Sequence, residues 1–192
     1  MQNQLKNIEL FSSLSNSSLL LLAAQFKVIN AKKGDLLIRA EKTEPYFYVI
    51  DEGLARAYSD GDNQQITFWF GKKGDALFSY NSYINHQPGY ENIELLENSR
   101  LFRIKIEDLL SLYTTHIEIA NWGRKIAEKE LIATEKRLID RLFKTATERY
   151  LEFLNQSPEL AKKVALKYIA SYLGVTQVTL SRIRADIKSF IF

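Results

Sequence analysis

The chain has 192 residues, of which 46% are hydrophobic and 26% are charged, as in a soluble globular protein of one large or two small domains. It has no cysteine and only two histidines, which excludes disulfide frameworks, thiolate or multi-histidine metal sites, cysteine-ligated clusters and cysteine nucleophiles. Its longest apolar run, Leu19–Ala24, is far shorter than the roughly twenty residues of a membrane span. We therefore expect a cytoplasmic protein with no cofactor, no metal and no membrane partner.

The net charge of +3 is distributed unevenly along the chain. Residues 1–104 carry 11 basic and 12 acidic side chains, residues 105–157 carry nine of each, and residues 158–192 carry six and two. A local basic excess is typical of nucleic-acid-binding elements, although a solvated basic tail has the same composition. The charge therefore directs attention to the carboxyl-terminal segment.

In chain order, a short helix comes first, because the capping residues Ser15–Ser17 precede a run of leucines. From residue 28 to 104, short aromatic and β-branched runs alternate with six of the eight glycines, which predicts a small antiparallel β barrel or sandwich. An internal echo, Lys32–Asp35 and Lys72–Asp75, supports this interpretation. The segment Asp60–Asn63 is typical of a hairpin turn.

Residues 117–145 contain no proline and one glycine, which predicts one long helix. Small or apolar residues form a narrow seam along it, made of Ala120, Ala127, Leu131, Thr134 and Leu138. A second stripe contains Ile119, Trp122, Ile126 and Ala133. One stripe can pack on the barrel, and the seam then needs another helix, either in a second copy of the chain or in the same chain. A further helix is predicted near residues 141–156, ended by Ser157-Pro158.

The segment 163–190 has the pattern of a helix-turn-helix. A short helix carries apolar Ile169, Ala170 and Leu173, and Gly174 can adopt the left-handed conformation that follows a helix. Thr176 is a capping residue for a second helix. The side of that helix expected to be buried holds Leu180, Ile183 and Ile187. A plain two-helix hairpin is the alternative.

The exposed side of the second helix has the composition of a surface that enters the DNA major groove. Arginine can pair with guanine and glutamine with adenine, while small side chains allow close approach. The predicted base contacts are Gln177, Val178, Ser181 and Arg182. The predicted phosphate contacts, which position the protein without reading sequence, are Lys162, Lys163, Lys167, Thr176, Thr179, Arg184 and Lys188.

On these residues the chain resembles the Crp/Fnr family of bacterial transcription regulators over essentially its whole length. The β region is similar to the family's cyclic-nucleotide-binding-like β-roll in Lys33-Gly34-Asp35, in Tyr48 to Gly53 and in Lys73-Gly74-Asp75. The resemblance implies an α+β fold with an N-terminal antiparallel, jelly-roll-like β-roll. It places this sensor and a long dimerisation helix (about 116–142) in residues 1–142, and a helix-turn-helix DNA-binding domain in residues 143–192. It also implies a homodimeric regulator that binds double-stranded DNA, contacts RNA polymerase and has no enzymatic activity.

The sequence departs from the family members that bind cyclic AMP. Their phosphate-binding cassette opens with Gly-Glu-Leu and closes with an Arg-Ser pair, but here the matching stretches are Phe78-Ser79-Tyr80 and Gly89-Tyr90. No arginine lies between Arg56 and Arg100, and burying a phosphate without a cation is costly. We therefore expect no response to cyclic AMP. A candidate pocket for another, unidentified small-molecule effector comprises Phe78, Ser79, Tyr80, Tyr83, Gly89, Tyr90 and Thr134, unless these aromatic residues are simply core.

A second departure lies in the recognition helix, where many members have an acidic residue that accepts from cytosine. This chain has Val178, whose methyl groups favour the thymine methyl. Two other functions compete with this interpretation. A ligand-sensing or protein-interaction module without DNA binding is disfavoured by the basic carboxyl-terminal segment. A cupin-like enzyme would need a cluster of metal ligands, whereas the β region holds only His86.

Overall fold

The computed structural model describes residues 1–62 and 64–191, with side chains as far as residue 187. Three short helical segments come first: α1 (Gln2–Lys6), a 3-10 turn (Glu9–Phe11) and α2 (Asn16–Gln25). The hydroxyl of Ser15 accepts a hydrogen bond from the backbone N–H of Ser18, as predicted for a helix cap. These segments precede the β region and pack against it.

In the described residues, eight strands form two four-stranded sheets, and every strand pair is antiparallel. The strands are β1 (Lys27–Ala31), β2 (Leu36–Ile38), β3 (Tyr46–Glu52), β4 (Ala55–Asp60), β5 (Gln65–Gly71), β6 (Ala76–Leu77), β7 (Asn92–Leu95) and β8 (Ser99–Lys105). The sheet orders are β1-β8-β3-β6 and β2-β7-β4-β5. The predicted β-roll is therefore confirmed. Strands β4 and β5 form the predicted hairpin, although its turn residue Asn63 lies outside the described residues.

The space between the sheets is filled by apolar side chains from both, because alternate residues of each strand point inward. Ile50 and Leu101 come from one sheet, and Ala57 and Leu95 from the other, and all four are buried. The order of the second sheet, β2-β7-β4-β5, leaves β5 at an edge. Its outer backbone groups are thus available to another element of the chain.

Seven helices follow β6 within the described part of the chain: α3 (Tyr80–Asn85), α4 (Ile106–Thr115), α5 (Ile117–Phe143), α6 (Ala146–Gln156), α7 (Pro158–Lys163), α8 (Leu166–Leu173) and α9 (Gln177–Ile191). Helix α5 is the predicted long helix, with 27 residues. Its stripe through Ile119 and Trp122 is buried against the amino-terminal helices and the β-roll, as expected. The Trp122 ring stacks on Phe11 at 5.3 Å, and its indole N–H donates to the carbonyl of Leu10.

The structure corrects three details of the helical half. The helix expected near residue 141 begins at Ala146, because Thr145 and Glu148 form a reciprocal capping box that fixes its start. Pro158 does not only end that helix, because it is also the first residue of α7. The backbone N–H at that position makes no hydrogen bond within the helix, so a proline is tolerated there. Helix α3 was not predicted, because it is short and lies between two strands.

Candidate nucleic-acid interface

The helix-turn-helix is formed by α8 and α9, as the sequence predicted. Gly174 has a φ of +70°, and the backbone N–H of Val175 reaches back to the carbonyl of Ala170, which closes α8 in a Schellman-type end. The hydroxyl of Thr176 then accepts from the N–H of Thr179 at 3.1 Å and caps α9. The two helices pack through Leu173, Leu180 and Ile183, which are all buried.

The four predicted base-contacting residues lie together on the exposed side of α9. Gln177, Val178, Ser181 and Arg182 line one shallow surface depression with Ala185. Val178 is 61% exposed although it is aliphatic, and no described part of the chain covers it. A surface helix that displays an aliphatic residue between an amide and a guanidinium has the groups that read base edges. This geometry agrees with a recognition surface.

The predicted phosphate contacts are arranged less uniformly. Thr176, Thr179 and Arg184 are exposed around the same end or flank of α9. Lys162 and Lys163 lie 3.7 Å from the carboxylates of Glu159 and Glu97, and the ammonium of Lys167 lies 4.8 Å from the ring of Tyr168. The side chain of Lys188 falls outside the described residues. Exposed pairs of this kind are weak enough to exchange for a phosphate.

Helix α5 leaves its predicted seam exposed. Leu131 and Leu138 are 69% and 59% exposed, Ala127 and Thr134 are also exposed, and Ala120 is half-buried. Further exposed apolar side chains extend the surface towards the end of the helix, namely Ile132, Ile139, Leu142 and Phe143. A contiguous apolar surface of this extent is typical of a protein interface. No helix within the described residues covers the seam. The exposed surface therefore favours the alternative in which the seam packs on a second copy of the chain.

The aromatic residues of the candidate effector pocket contact one another. The ring of Phe78 lies 4.5 Å from that of Tyr80 and 5.3 Å from that of Tyr83, and it stacks on Phe47 of the core at 5.0 Å. Tyr90 lies apart from them, 66% exposed, with its ring 6.4 Å from Phe68. The structure thus ties Phe78 and Tyr83 to the core and leaves Tyr90 at the surface.

The stretches that correspond to the ends of the cassette hold hydroxyls and a carboxylate, and the arginine of the closing pair is absent. Ser79 is fully buried and caps α3 by accepting from the N–H of Ser82. Gly89 approaches Ser79 so closely that a Cβ there would lie 2.4 Å from the Ser79 hydroxyl. Glu91 is buried beside this pair, and its carboxylate accepts from the N–H of Tyr90 at 3.0 Å. A buried carboxylate at this position disfavours a bound phosphate.

Thr134 belongs to a polar network on α5 that also involves the cassette and the helix-turn-helix. Arg137 donates to the Thr134 hydroxyl at 2.8 Å and to Glu130 at 2.7 Å. Burial, with a smaller effect of the charge on Glu130, raises the pKa of Tyr80 to about 12, so its phenol stays protonated. Burial also raises the pKa of Tyr172 on α8, and the nearby Arg137 opposes that shift. The network thus links Thr134 and Arg137 of α5 with Tyr80 of α3 and with Tyr172 of α8.

The junction between α5 and α6 is fixed by an ion network. Lys136 and Lys144 each contact both Asp140 and Glu152, at distances of 2.5 to 2.8 Å. The lysine hydrogen bonds lower the pKa of both carboxyls and raise the pKa of both lysines. Arg149 adds hydrogen bonds to the carbonyls of Lys144 and Leu173, which end α5 and α8. A cation at two helix ends is favourable because both ends carry partial negative charge.

Sequence reasoning missed three residues at the contact between β-roll and helix-turn-helix: Arg56, Tyr168 and Ser171. Arg56 is only 2% exposed, and its guanidinium lies between the rings of Tyr58 and Tyr168. Ser171 on α8 contacts the backbone of β5. The only signal in the sequence was the charged Arg56 within the apolar run Ala55–Tyr58. The alternation of apolar and polar residues along a strand does not show which residue such a charge would contact.

Two classes of site find no support in the described part of the chain. Among its residues no group of three or more histidine, aspartate and glutamate side chains could hold a metal ion. No described helix has the length and apolar character needed to cross a membrane.

The comparisons agree with this architecture. The family described as cyclic nucleotide-binding domain matches residues 28–116. No curated protein matches the sequence closely enough to count as a relative. Among solved structures, FixK2 from Bradyrhizobium japonicum is similar with a TM-score of 0.75, at 18% identity over 85% of each chain.

Two further structures span nearly the whole chain. A putative transcriptional regulator of the Crp/Fnr family from Eubacterium rectale has a TM-score of 0.75 at 16% identity, and covers 95% of this chain and 87% of its own. The c-di-GMP responsive global regulator CLP from Xanthomonas campestris has a TM-score of 0.75 at 13% identity, covering 91% and 92%. Residues 28–116 are thus similar to the cyclic nucleotide-binding domain family. The chain as a whole has the Crp/Fnr regulator fold, which confirms the resemblance at the level of architecture.

Proposed function

We propose that this protein is a homodimeric, sequence-specific DNA-binding transcription regulator that does not respond to cyclic AMP. The observation that carries the proposal is the recognition surface of α9, where Gln177, Val178, Ser181 and Arg182 share one exposed face after a capped turn. These side chains can contact base edges in the major groove. The basic excess of residues 158–192 supplies attraction to phosphate.

The dimer forms through the exposed seam of α5, with Leu131 and Leu138 at its centre. Two copies related by a two-fold axis present two recognition helices about one DNA turn apart, on a roughly palindromic site. Residues 1–142 act as the sensor and dimerisation unit, and residues 143–192 read the DNA. The resemblance adds RNA polymerase as a partner at the bound promoter.

Cyclic AMP is an unsuitable effector because no arginine occupies the cassette position that would neutralise its phosphate, and Arg137, the cation beside Thr134, is engaged with Glu130 at 2.7 Å. Arg56, the nearest arginine in the preceding sequence, is engaged with Glu94 at 2.8 Å and with Gln65. The buried Glu91 adds negative charge next to the position of the missing arginine. If this protein has an effector, its candidate pocket offers the rings of Phe78, Tyr80, Tyr83 and Tyr90, the hydroxyls of Ser79 and Thr134, and the backbone of Gly89.

The test is a selection of duplexes from a random library with the purified full-length protein. A palindromic consensus whose affinity falls steeply with salt is expected, because counterions are released when lysine and arginine meet phosphate. Failure to enrich any duplex at low salt would overturn the proposal. A protein-interaction module predicts that outcome, together with a monomer in sedimentation.

A further inference from the structure

The edge strand β5 is held by a side chain of the helix-turn-helix. The hydroxyl of Ser171 donates to the carbonyl of Gln65 at 2.9 Å and accepts from the N–H of Thr67 at 2.9 Å. An antiparallel edge strand has unpaired groups on alternate residues, and a neighbouring strand would normally satisfy them. Here one hydroxyl of α8 satisfies two of them, across 104 to 106 residues of sequence.

A buried arginine lies beside this contact. The guanidinium of Arg56 bonds Glu94 of β7 and the side chains of Gln65 and Thr67 of β5. Its central carbon lies 3.8 Å from the ring centroid of Tyr168 on α8 and 4.0 Å from that of Tyr58. A desolvated cation over an aromatic ring is among the stronger contacts of this kind. Arg56 thus joins the β-roll to α8, the same helix that carries Ser171.

Apolar packing continues the contact on the other side of Ser171. The ring of Phe70 on β5 lies 5.2 Å from Tyr172 and 6.3 Å from Phe153. Leu54 of the β-roll is buried in the core of the helix-turn-helix. The helix-turn-helix is therefore attached twice, once through the junction of α5 and α6 and once through β5.

We infer that this contact, formed by Ser171 and Tyr168 with β5 and Arg56, positions the recognition helix and thereby sets the half-site spacing that the dimer accepts. The inference rests on the proposed function. Helix α9 packs directly on α8, so an α8 held by the sensor transmits its orientation to α9. In a dimer that forms through α5, two recognition helices held in a fixed orientation fit only one separation of half-sites. A released domain could pivot and accept several.

The first experiment tests the contact without DNA. The amide of Thr67 should exchange its hydrogen slowly in the wild-type protein, because Ser171 covers it at the sheet edge. In Ser171→Ala we expect exchange at this amide to accelerate by about tenfold or more. Ser111→Ala, an equivalent change on the exposed face of α4, should leave it unchanged. Rapid exchange at Thr67 in the wild type would overturn the inference, whether or not the protein binds DNA.

The second experiment measures affinity for the selected palindrome and for versions with one or two base pairs added to or removed from its centre. The wild-type protein should lose about tenfold or more in affinity at each altered spacing. Tyr168→Phe should show the same losses, because it keeps the ring over Arg56. The double variant Tyr168→Ala/Ser171→Ala should show differences of less than about threefold, with affinity for a single half-site retained. Unaltered spacing selectivity in a folded, dimeric double variant would overturn the inference. Absence of any duplex binding by wild type would instead overturn the proposed function.

Discussion

Individual side chains on α9 should differ in what they contribute to binding. Arg182 lies on the base-reading face, whereas Arg184 lies on its flank, and both are exposed. We expect Arg182→Ala to cost about 1–3 kcal/mol at one position of the site and to relax the preference there. Arg184→Ala should weaken binding to all DNA sequences alike, and should reduce the slope of log affinity against log salt concentration by about 1. Binding isotherms on selected and scrambled duplexes at several salt concentrations measure both, and equal behaviour of the two variants would contradict the assignment.

Val178 should confer a preference for thymine. It is an exposed aliphatic residue in the middle of the base-reading face, so its methyl groups are free to contact the thymine methyl. Val178→Ala should lose the preference at one base pair in each half-site, while Val178→Thr, which keeps a methyl group, should retain it. A repeated duplex selection with each variant checks this. An unchanged consensus with Val178→Ala would show that the residue does not read DNA.

Between elements, the junction of α5 and α6 makes stability depend on pH. Hydrogen bonds from Lys136 and Lys144 lower the pKa of Glu152 from its usual 4.5, so the charged network stabilises the folded state above that value. This contribution is lost as the pH falls through the lowered, folded-state pKa. Glu152→Gln should reduce the free energy of unfolding by up to about 1 kcal/mol at pH 7 and by much less in acid.

Urea denaturation at pH 7 and near pH 3 measures this difference. Glu135→Gln, an exposed change on α5 outside the ion network, should have little effect at either pH. A loss of stability in Glu152→Gln that is as large in acid as at neutral pH would attribute the effect to packing, and would contradict the electrostatic explanation.

Elements with local signals could be predicted from the sequence, and elements without them could not. Gly174 and Thr176 define the turn of the helix-turn-helix through backbone conformation and capping, which depend on a few adjacent residues. The start of α6 was predicted some residues too early, because the helical pattern of α5 continues to Phe143 and only the Thr145 capping box separates the two helices. Periodicity alone does not detect such a break.

At the scale of the whole molecule, the missed features are contacts between distant segments. Ser171 and Thr67 are 104 residues apart, and neither has a neighbour in sequence that indicates the pairing. The partners that enclose Arg56 include Glu94, Gln65 and Tyr168, which come from three other elements. Conversely, the exposed seam of α5 was predictable, because a helix that is apolar on two sides has more surface to cover than one β-roll supplies.

The lack of a phosphate partner predicts that cyclic AMP is inert. A ligand that binds only the folded state at 100 times its dissociation constant stabilises that state by about 2.7 kcal/mol. Millimolar cyclic AMP should therefore leave both the melting temperature and the DNA affinity unchanged. A scan of thermal unfolding with and without the nucleotide measures this. A concentration-dependent rise in melting temperature would show that another group neutralises the phosphate despite the buried Glu91.

The proposed dimer is the feature on which specific DNA binding should depend. Leu138 lies one heptad after Leu131 on the exposed seam, so a charge there would be buried against its own copy across a two-fold axis. Leu138→Glu should therefore sediment as a monomer at micromolar concentration and lose at least about a hundredfold in affinity for the palindrome, while binding to a single half-site remains. Lys129→Glu, an exposed change on the opposite side of α5, should stay dimeric. A dimeric Leu138→Glu would place the interface elsewhere, and the spacing of the two recognition helices would then have to be set by a different surface.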